Sequence, residues 1–99
     1  MPLKKIEKNN TVDCLWPYLL RILKDSPSHA YVLRKELETR FGFRVGKIIS
    51  YKVLYSLTRK GYVTKKKDGR KQIYSITPEG RELLKKGIKF YYDRAKILE

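Results

Sequence analysis

The stretch "YSLTRKGYVTKKKDGRKQIYSITPEG", residues 55–80, decides the fold, because it contains the end of one helix, a strongly basic hairpin and the start of another helix. Asp68-Gly69 between two extended runs indicates a tight type I′ turn, since both central positions of that turn need positive φ. This spacing predicts strands near residues 62–67 and 70–76. It also predicts that Lys67 lies opposite Arg70 and Lys66 opposite Lys71.

The predicted hairpin is crowded with positive charge. Like charges that face each other across a strand pair destabilise the pair. One explanation is structural, because lysines on an exposed hairpin discourage edge-to-edge aggregation and solvent screens the repulsion. The other is that the hairpin meets a dense array of negative charge, such as a phosphate backbone, which removes the repulsion in the complex. The cations concerned are Lys65, Lys66, Lys67, Arg70 and Lys71.

Apolar residues at helical spacing predict two helices in the first part of the chain. The first follows Asp13, a predicted N-cap, and ends near Lys24. The second runs from about residue 29 to 40, and its predicted inner side contains Tyr31, Val32, Leu33 and Leu37.

The third predicted helix, residues 47–60, stops at Gly61 and has two different faces. Ile49, Val53, Leu54 and Leu57 cluster on one side and predict a core face. Tyr51, Lys52, Tyr55 and Arg59 lie on the opposite side, with Lys47 and Ser50 near the start of the helix. No acidic residue lies on that side, although a merely solvated face usually carries mixed charge.

Most of the excess charge lies in this region. Residues 44–71 contain ten cations, beginning with Arg44, and one acidic residue, which leaves a local charge of +9. Three helices followed by a basic hairpin describe a winged helix-turn-helix, a mainly α fold with a small β-hairpin. In that fold the third helix enters the major groove of DNA, and the hairpin, or wing, lies along the backbone or minor groove.

A last helix is predicted from residue 78, with Thr77 as N-cap and Pro78 at the first helical position. Its apolar residues step by four, three, four and three, which is a heptad seam. Such a seam predicts a dimer contact supported by the first helix, because Trp16 and the leucines of that helix are more large apolar side chains than one small core needs. The alternative is that the seam packs back on its own domain. The seam residues are Leu84, Ile88, Tyr91, Ala95 and Leu98.

Composition limits the function classes. The chain has 99 residues and a formal charge of +14, which points to nucleic acid first and to an anionic membrane surface second. Neither a membrane span nor a targeting segment is predicted, so we expect a cytoplasmic, nucleoid-associated protein of a prokaryotic cell. Cys14 is the only cysteine and His29 the only histidine, so we expect no enzyme, metal site or cofactor.

Three stretches resemble the PadR-like transcriptional regulators: "SPSHAYVLRKELETRFG", "SYKVLYSLTRKGYV" and "GRKQIYSITPEGRELL". The first is similar to the family's second-helix segment, the second to its recognition helix and the third to the wing's return strand and the last helix. Ala30 departs from the family's usual Gly, and Ile48, Ile49 and Lys52 depart from the residues common around the recognition-helix tyrosine.

The resemblance implies a homodimer held by a single C-terminal helix. It also implies that some relatives bind small aromatic effectors at the dimer interface, where Trp16 is a candidate lining residue. We therefore predict a basic tail over residues 1–10 that is mobile, a DNA-binding winged domain over residues 11–77 and a dimerisation helix over residues 78–99. The predicted function is sequence-specific, double-stranded DNA-binding regulation of transcription. RNA or ribosome binding and non-specific architectural DNA binding are the alternatives.

Overall fold

The structure is a computed structural model that describes the backbone of residues 12–99 and the side chains of residues 15–99. The predicted basic tail over residues 1–10 lies outside the described residues. Within the described part, the chain forms α1 (Val12–Asp25), β1 (Ser28–His29), α2 (Ala30–Phe41), α3 (Lys47–Arg59), β2 (Val63–Asp68), β3 (Lys71–Ile76) and α4 (Pro78–Leu98). The predicted order of three helices, a hairpin and a last helix is confirmed. Asp13 lies inside α1 rather than before it, so its predicted role as N-cap is wrong.

The described strands form one antiparallel sheet in the order β1-β3-β2. β1 was not predicted, because His29 was expected to begin the second helix. Instead His29 has an extended backbone, with φ −76° and ψ 158°, and lies opposite Ile73 of β3. The start of α2 is therefore tied directly to the hairpin by backbone hydrogen bonds.

One hydrophobic core holds these elements together. α1 lies at its centre, with Leu15, Leu19, Leu20 and Leu23 almost completely buried. Fully burying one such leucine contributes about 1.5–3 kcal/mol, so this helix organises the fold. The other elements contribute Leu33 and Leu37 from α2, Val53, Leu54 and Leu57 from α3, Val63 and Tyr74 from the sheet, and Leu84 from α4.

The inner side of α2 differs in part from the prediction. Ala30, Leu33 and Leu37 are buried, and they follow the i, i+3, i+7 spacing of one helix face. Tyr31 and Val32 are exposed, so their predicted place on the inner side is wrong. Because Tyr31 is one residue past a buried position, it points away from the core toward the hairpin side of the domain.

An ion-pair network joins the ends of α1 and α2. Asp25 accepts a hydrogen bond from Arg21 and forms an ion pair with Arg40, at 2.8 Å each. Both arginines lower the pKa of Asp25, Arg21 most. Because the pKa of Asp25 is lowered in the folded state, its ion pairs stabilise the fold at neutral pH, and this stabilisation is lost as the pH falls through that pKa. The groups are exposed to solvent, so the contribution is small.

The junction between α3, the hairpin and α4 is built around Thr77. The Thr77 hydroxyl accepts a hydrogen bond from the Gly80 amide at 3.0 Å and donates one to the Gly61 carbonyl at 2.7 Å. The Thr77 amide donates to the Tyr62 carbonyl at 3.1 Å. Gly61 has φ +85°, a left-handed conformation that lets the chain turn directly out of α3. The predicted N-cap role of Thr77 is confirmed.

Gly80 is buried at this junction because a side chain would not fit. A Cβ atom there would overlap the Tyr62 carbonyl oxygen and lie 2.9 Å from Cγ1 of Ile76. Backbone atoms cannot move aside as a flexible side chain can, so the first turn of α4 would be pushed away from the base of the hairpin.

We expect Gly80→Ala to destabilise the fold by about 2 kcal/mol, as for other overpacked sites, and to lower the Tm by roughly 10 °C. Gly46→Ala is the matched control, because a Cβ at Gly46 meets nothing within 4 Å and its φ is −70°. Thermal unfolding followed by circular dichroism measures both variants. Equal Tm values for Gly80→Ala and the unmodified protein would contradict the close contact at the junction.

Candidate nucleic-acid interface

α3 presents a stripe of large polar and aromatic side chains to solvent. Val53, Leu54 and Leu57 bury the opposite side in the core. Tyr51 is 44% exposed and Tyr55 65% exposed, one helical turn apart. Lys52 and Arg59 are also exposed on this side of the helix. The predicted division of α3 into a core face and an accessible face is therefore what the structure contains.

Ser50 does not belong to the accessible face, in contrast to its prediction as a binding residue. It is only 1% exposed, and its hydroxyl donates to the Lys47 carbonyl at 2.9 Å. The position lies one turn before Val53 and Leu54, so the helix period carries it into the core. Its hydroxyl is thus engaged within α3.

The hairpin β2–β3, residues 63–76, is called the wing below, and its register differs from the prediction. Asp68 pairs with Lys71, Lys67 with Gln72 and Lys66 with Ile73. The turn residues are therefore Gly69 and Arg70 rather than Asp68 and Gly69. Gly69 has φ +62°, and no residue other than glycine has positive φ in the described part of the chain. This suits a type II′ turn, in which only the first central residue needs positive φ.

The observed register removes the predicted repulsion between facing cations. Lys66 and Lys67 lie opposite Ile73 and Gln72, and Lys71 lies opposite the acidic Asp68. The crowding of charge on the wing is thus compatible with a stable hairpin, and the cations remain exposed along it.

A cleft of about 470 Å³ lies between α3, the start of α2 and the wing. α3 contributes Lys47 and Tyr51, and the wing contributes Lys65, Arg70 and Lys71 among others. We call this the basic cleft. Its complete lining is His29, Ala30, Tyr31, Arg34, Lys47, Tyr51, Lys65, Arg70, Lys71, Gln72 and Tyr74.

Five cations and no carboxylate line the basic cleft. Asp68 lies outside this lining, with its Oδ2 3.4 Å from Nε2 of His29 and without hydrogen-bond geometry. Burial raises the pKa of Tyr74 at the floor of the cleft, and the neighbouring Tyr51 adds to the shift. Tyr74 is therefore a neutral phenol at physiological pH, and the cleft attracts anions.

The cleft includes residues that sequence reasoning missed, namely His29, Tyr31 and Arg34. The Arg34 guanidinium lies 5.9 Å from the Tyr31 ring, and its Nη1 is buried without a hydrogen-bond partner among the described residues. The local signal was present but weak: with Ala30, Leu33 and Leu37 assigned inward, Tyr31 and Arg34 fall together on the outer side at i and i+3. The pairing of β1 with β3, which brings them to the wing, has no such signal.

Several predicted binding residues lie outside the basic cleft. Lys52, Tyr55 and Arg59 occupy the exposed stripe of α3 beyond it, and Lys66 and Lys67 lie exposed on β2. Arg44 is on a different side, where its Nη2 lies 3.6 Å from Oε1 of Glu38 and it lines a smaller hollow with Tyr31 and Arg34. The predicted set is thus spread over several parts of the surface of the domain rather than gathered in one pocket.

The predicted dimer residues divide into two groups. Leu84 is buried in the core of its own chain, and Trp16 lies against Gly87 of α4, where a Cβ would come within 2.8 Å of the indole ring. Leu84 is thus covered within its own chain, in contrast to its prediction as a dimer residue. Trp16 is only partly buried, and its place at a dimer contact stays a prediction. Ile88, Tyr91, Ala95 and Leu98 are exposed, and so are all the remaining residues from 88 to 99.

Two features are absent from the described residues. None of their helices is both long enough and apolar enough to cross a membrane. No cluster of three or more histidine, cysteine, aspartate or glutamate side chains with the geometry of a metal site occurs among them.

Comparison with known proteins identifies the family. The model of the transcriptional regulator PadR-like family matches residues 19–86, which include α2, α3, the wing and most of the core. No curated protein sequence matches the chain significantly.

Solved structures share the fold. A transcriptional regulator from Clostridium thermocellum is similar with a TM-score of 0.78 and 19% identity, over 85% of this chain and 88% of that one. A PadR family transcription regulator from Clostridium difficile is similar with a TM-score of 0.76 and 18% identity, over 85% of this chain and 94% of that one. F93 from STIV, a winged-helix DNA-binding protein, is similar with a TM-score of 0.71 and 15% identity, over 84% and 91%. The predicted winged helix-turn-helix is confirmed.

We expect Ser50→Ala to leave the affinity for a mixed-sequence DNA duplex within about twofold, because the lost hydroxyl is bonded inside α3 and an unstrained Ser→Ala change in a helix is mild. Lys52→Ala, two residues further and exposed, should lower the affinity several-fold at low salt. Fluorescence anisotropy with a labelled duplex compares the two. A larger loss for Ser50→Ala than for Lys52→Ala would contradict the assignment of the two faces.

Proposed function

The chain belongs to the PadR-like family of transcriptional regulators, and from this premise we propose that it is a sequence-specific regulator that binds double-stranded DNA as a homodimer. Members of this family regulate transcription and are not enzymes. In the proposed complex α3 enters the major groove and the wing follows the backbone or the minor groove. F93 from STIV, which has the same fold, is described as DNA-binding, and this supports the proposal.

The observation that carries the proposal is the basic cleft. Lys47 and Tyr51 of α3 face the same space as Lys65, Arg70 and Lys71 of the wing, with no carboxylate in the lining. A duplex offers both a groove that admits a helix and phosphates on the rim of that groove. One docking surface that combines a helix and a charged hairpin therefore suits a duplex well.

The two parts of the surface have different proposed roles. Wing cations neutralise phosphates and release condensed counterions, which supplies affinity without reading sequence. The exposed stripe of α3 is proposed to read base edges, through Tyr51, Lys52 and Tyr55 directly or through bridging water. Arg59, at the end of α3, and Arg44, which precedes α3, lie outside the basic cleft and are proposed to contact the flanking backbone.

RNA binding is the rival that the charge alone permits. Single-stranded RNA is bound by aromatic rings on an open platform, where bases stack on them. Tyr51 and Tyr55 instead lie one turn apart on the exposed side of α3, a helix whose other side is buried in the core. This geometry favours a helix-in-groove contact with duplex DNA.

We expect Lys65→Ala with Lys71→Ala to flatten the dependence of log Kobs on log salt concentration by about 1.8, since each phosphate contact contributes about 0.9. Lys85→Ala with Lys86→Ala is the control, because it removes the same charge from exposed positions on α4. Anisotropy titrations over a range of salt concentrations give the slopes, and structured RNA of equal length serves as competitor.

Two outcomes would contradict the proposal. Equal slopes for the wing variant and the control would remove the wing from the interface. Competition by RNA as strong as by duplex DNA, together with no enriched motif after selection from random duplexes, would reject sequence-specific DNA binding. An enriched palindrome would support both specificity and two-fold symmetry.

The homodimer is proposed to form through the exposed half of α4. Ile88, Phe90, Tyr91, Tyr92, Ile97 and Leu98 are all more than half exposed on this helix. Such an apolar stretch on a small domain is typical of a protein-protein contact. The resemblance to the family also suggests a small aromatic effector at this interface, which stays a prediction.

We expect the protein at micromolar concentration to sediment at about twice its monomer mass of 11.8 kDa. Ile88→Glu with Leu98→Glu should shift it to the monomer, because charge is placed in the desolvated contact. Lys86→Glu with Lys89→Glu introduces the same two residues at exposed positions on the side of α4 opposite Ile88 and Leu98, and should leave the dimer intact. Sedimentation velocity measures all three proteins. A monomer for the unmodified protein would reject the proposed dimer.

A further inference from the structure

Ile48 is an exposed aliphatic side chain on the first turn of α3. It is 73% exposed, the highest value among the large hydrophobic residues described before Pro78. Its neighbours on the helix surface, at i+3, i+4 and i+7, are Tyr51, Lys52 and Tyr55. Ile48 therefore belongs to the stripe that we propose to face DNA.

The fold does not account for this isoleucine. The next residue, Ile49, is half-buried and packs against the core, so α3 already has its apolar contact at this level. A β-branched residue in a helix restricts its own χ1 rotamers and is less favourable there than Ala, Lys or Glu. At 73% exposure, little apolar burial offsets that cost.

The surroundings of Ile48 also disfavour contact with a second copy of this chain. Lys47 and Lys52 flank it, and the basic cleft with five cations lies beside it. Bringing two such surfaces together would place like charges face to face, which is costly. A polyanion has the opposite sign, so the stripe is complementary to DNA.

On these grounds we propose that Ile48 is a specificity-determining residue that contacts the C5-methyl group of a thymine in the major groove. The inference rests on the proposed function, since the first residues of a recognition helix are those that reach base edges. Among the groups that bases present in the major groove, the thymine methyl is the apolar one. An aliphatic side chain has no donor or acceptor, so the methyl group is the feature that it recognises.

The test removes the methyl group and nothing else from the DNA. Duplexes are enriched from a random pool by the unmodified protein, and the enriched pool is then amplified with either thymidine or deoxyuridine triphosphate. Deoxyuridine keeps every hydrogen-bonding group of thymidine and lacks the methyl. Anisotropy competition gives the ratio of affinities for the two pools.

We expect the unmodified protein to lose about fourfold in affinity for each contacted methyl, the factor that corresponds to burial of one such group. Ile48→Ala should show a ratio near one between the two pools, and Ile48→Val should restore most of the discrimination. Val32→Ala, which truncates an exposed aliphatic residue outside the lining of the basic cleft, should keep the full ratio. Thermal unfolding confirms that each variant is folded.

The outcomes separate this inference from the function on which it rests. An enriched pool that the unmodified protein binds equally well with either base overturns the contact with thymine. So does an Ile48→Ala protein that discriminates as strongly as the unmodified one. Failure to enrich any sequence, with duplex binding unspecific throughout, overturns the proposed sequence-specific function and this inference together.

Discussion

The orientation of the wing depends on the hydrogen bonds that Thr77 makes at the base of the hairpin. Through its hydroxyl and its amide, this residue joins the end of α3 at Gly61 and Tyr62 to the first turn of α4 at Gly80. A hairpin on a flexible base would sample many angles, and no cleft of defined shape would exist between it and α3. The absence of a side chain at Gly80 lets the two backbones approach, so steric fit and hydrogen bonding act on the same point.

The second support of the cleft comes from the opposite edge of the sheet. β1 pairs with β3 and brings the first turn of α2 beside the wing, so Tyr31 and Arg34 stand across from Lys65 and Lys71. Concentrating cations in this way costs electrostatic free energy in the isolated protein. The leucine-rich core built on α1 offsets that cost. The cations lie on the solvent-exposed side of the domain, away from this core, and solvent screens their repulsion. The core contacts and the proposed DNA-binding surface thus lie on opposite faces of α2 and α3.

Features with local causes were predictable from the sequence. The N-cap at Thr77, the left-handed Gly61 that follows the end of α3 and the two faces of α3 follow from short-range spacing, and the structure contains them.

Features decided by tertiary pairing were not predictable from the sequence. A two-residue strand such as β1 has no periodicity, and the wing register is set by the pairing of Asp68 with Lys71, which moves the turn by one residue. The heptad spacing of α4 indicated apolar contact at Leu84 without telling whether the chain itself or a second copy covers it. Arg34 could not be predicted as a cleft residue for the same reason, because only the pairing of β1 with β3 brings it beside the wing.

The contact between Trp16 and Gly87 gives the molecule an internal optical probe. The chain contains one tryptophan, and its indole ring lies directly on the backbone of the last helix where that helix leaves the body of the domain. Indole emission depends on the polarity around the ring, so any shift of α4 relative to α1 changes its wavelength and yield. Movements between the helix proposed to pair two copies and the domain proposed to hold DNA are therefore visible in the unlabelled protein.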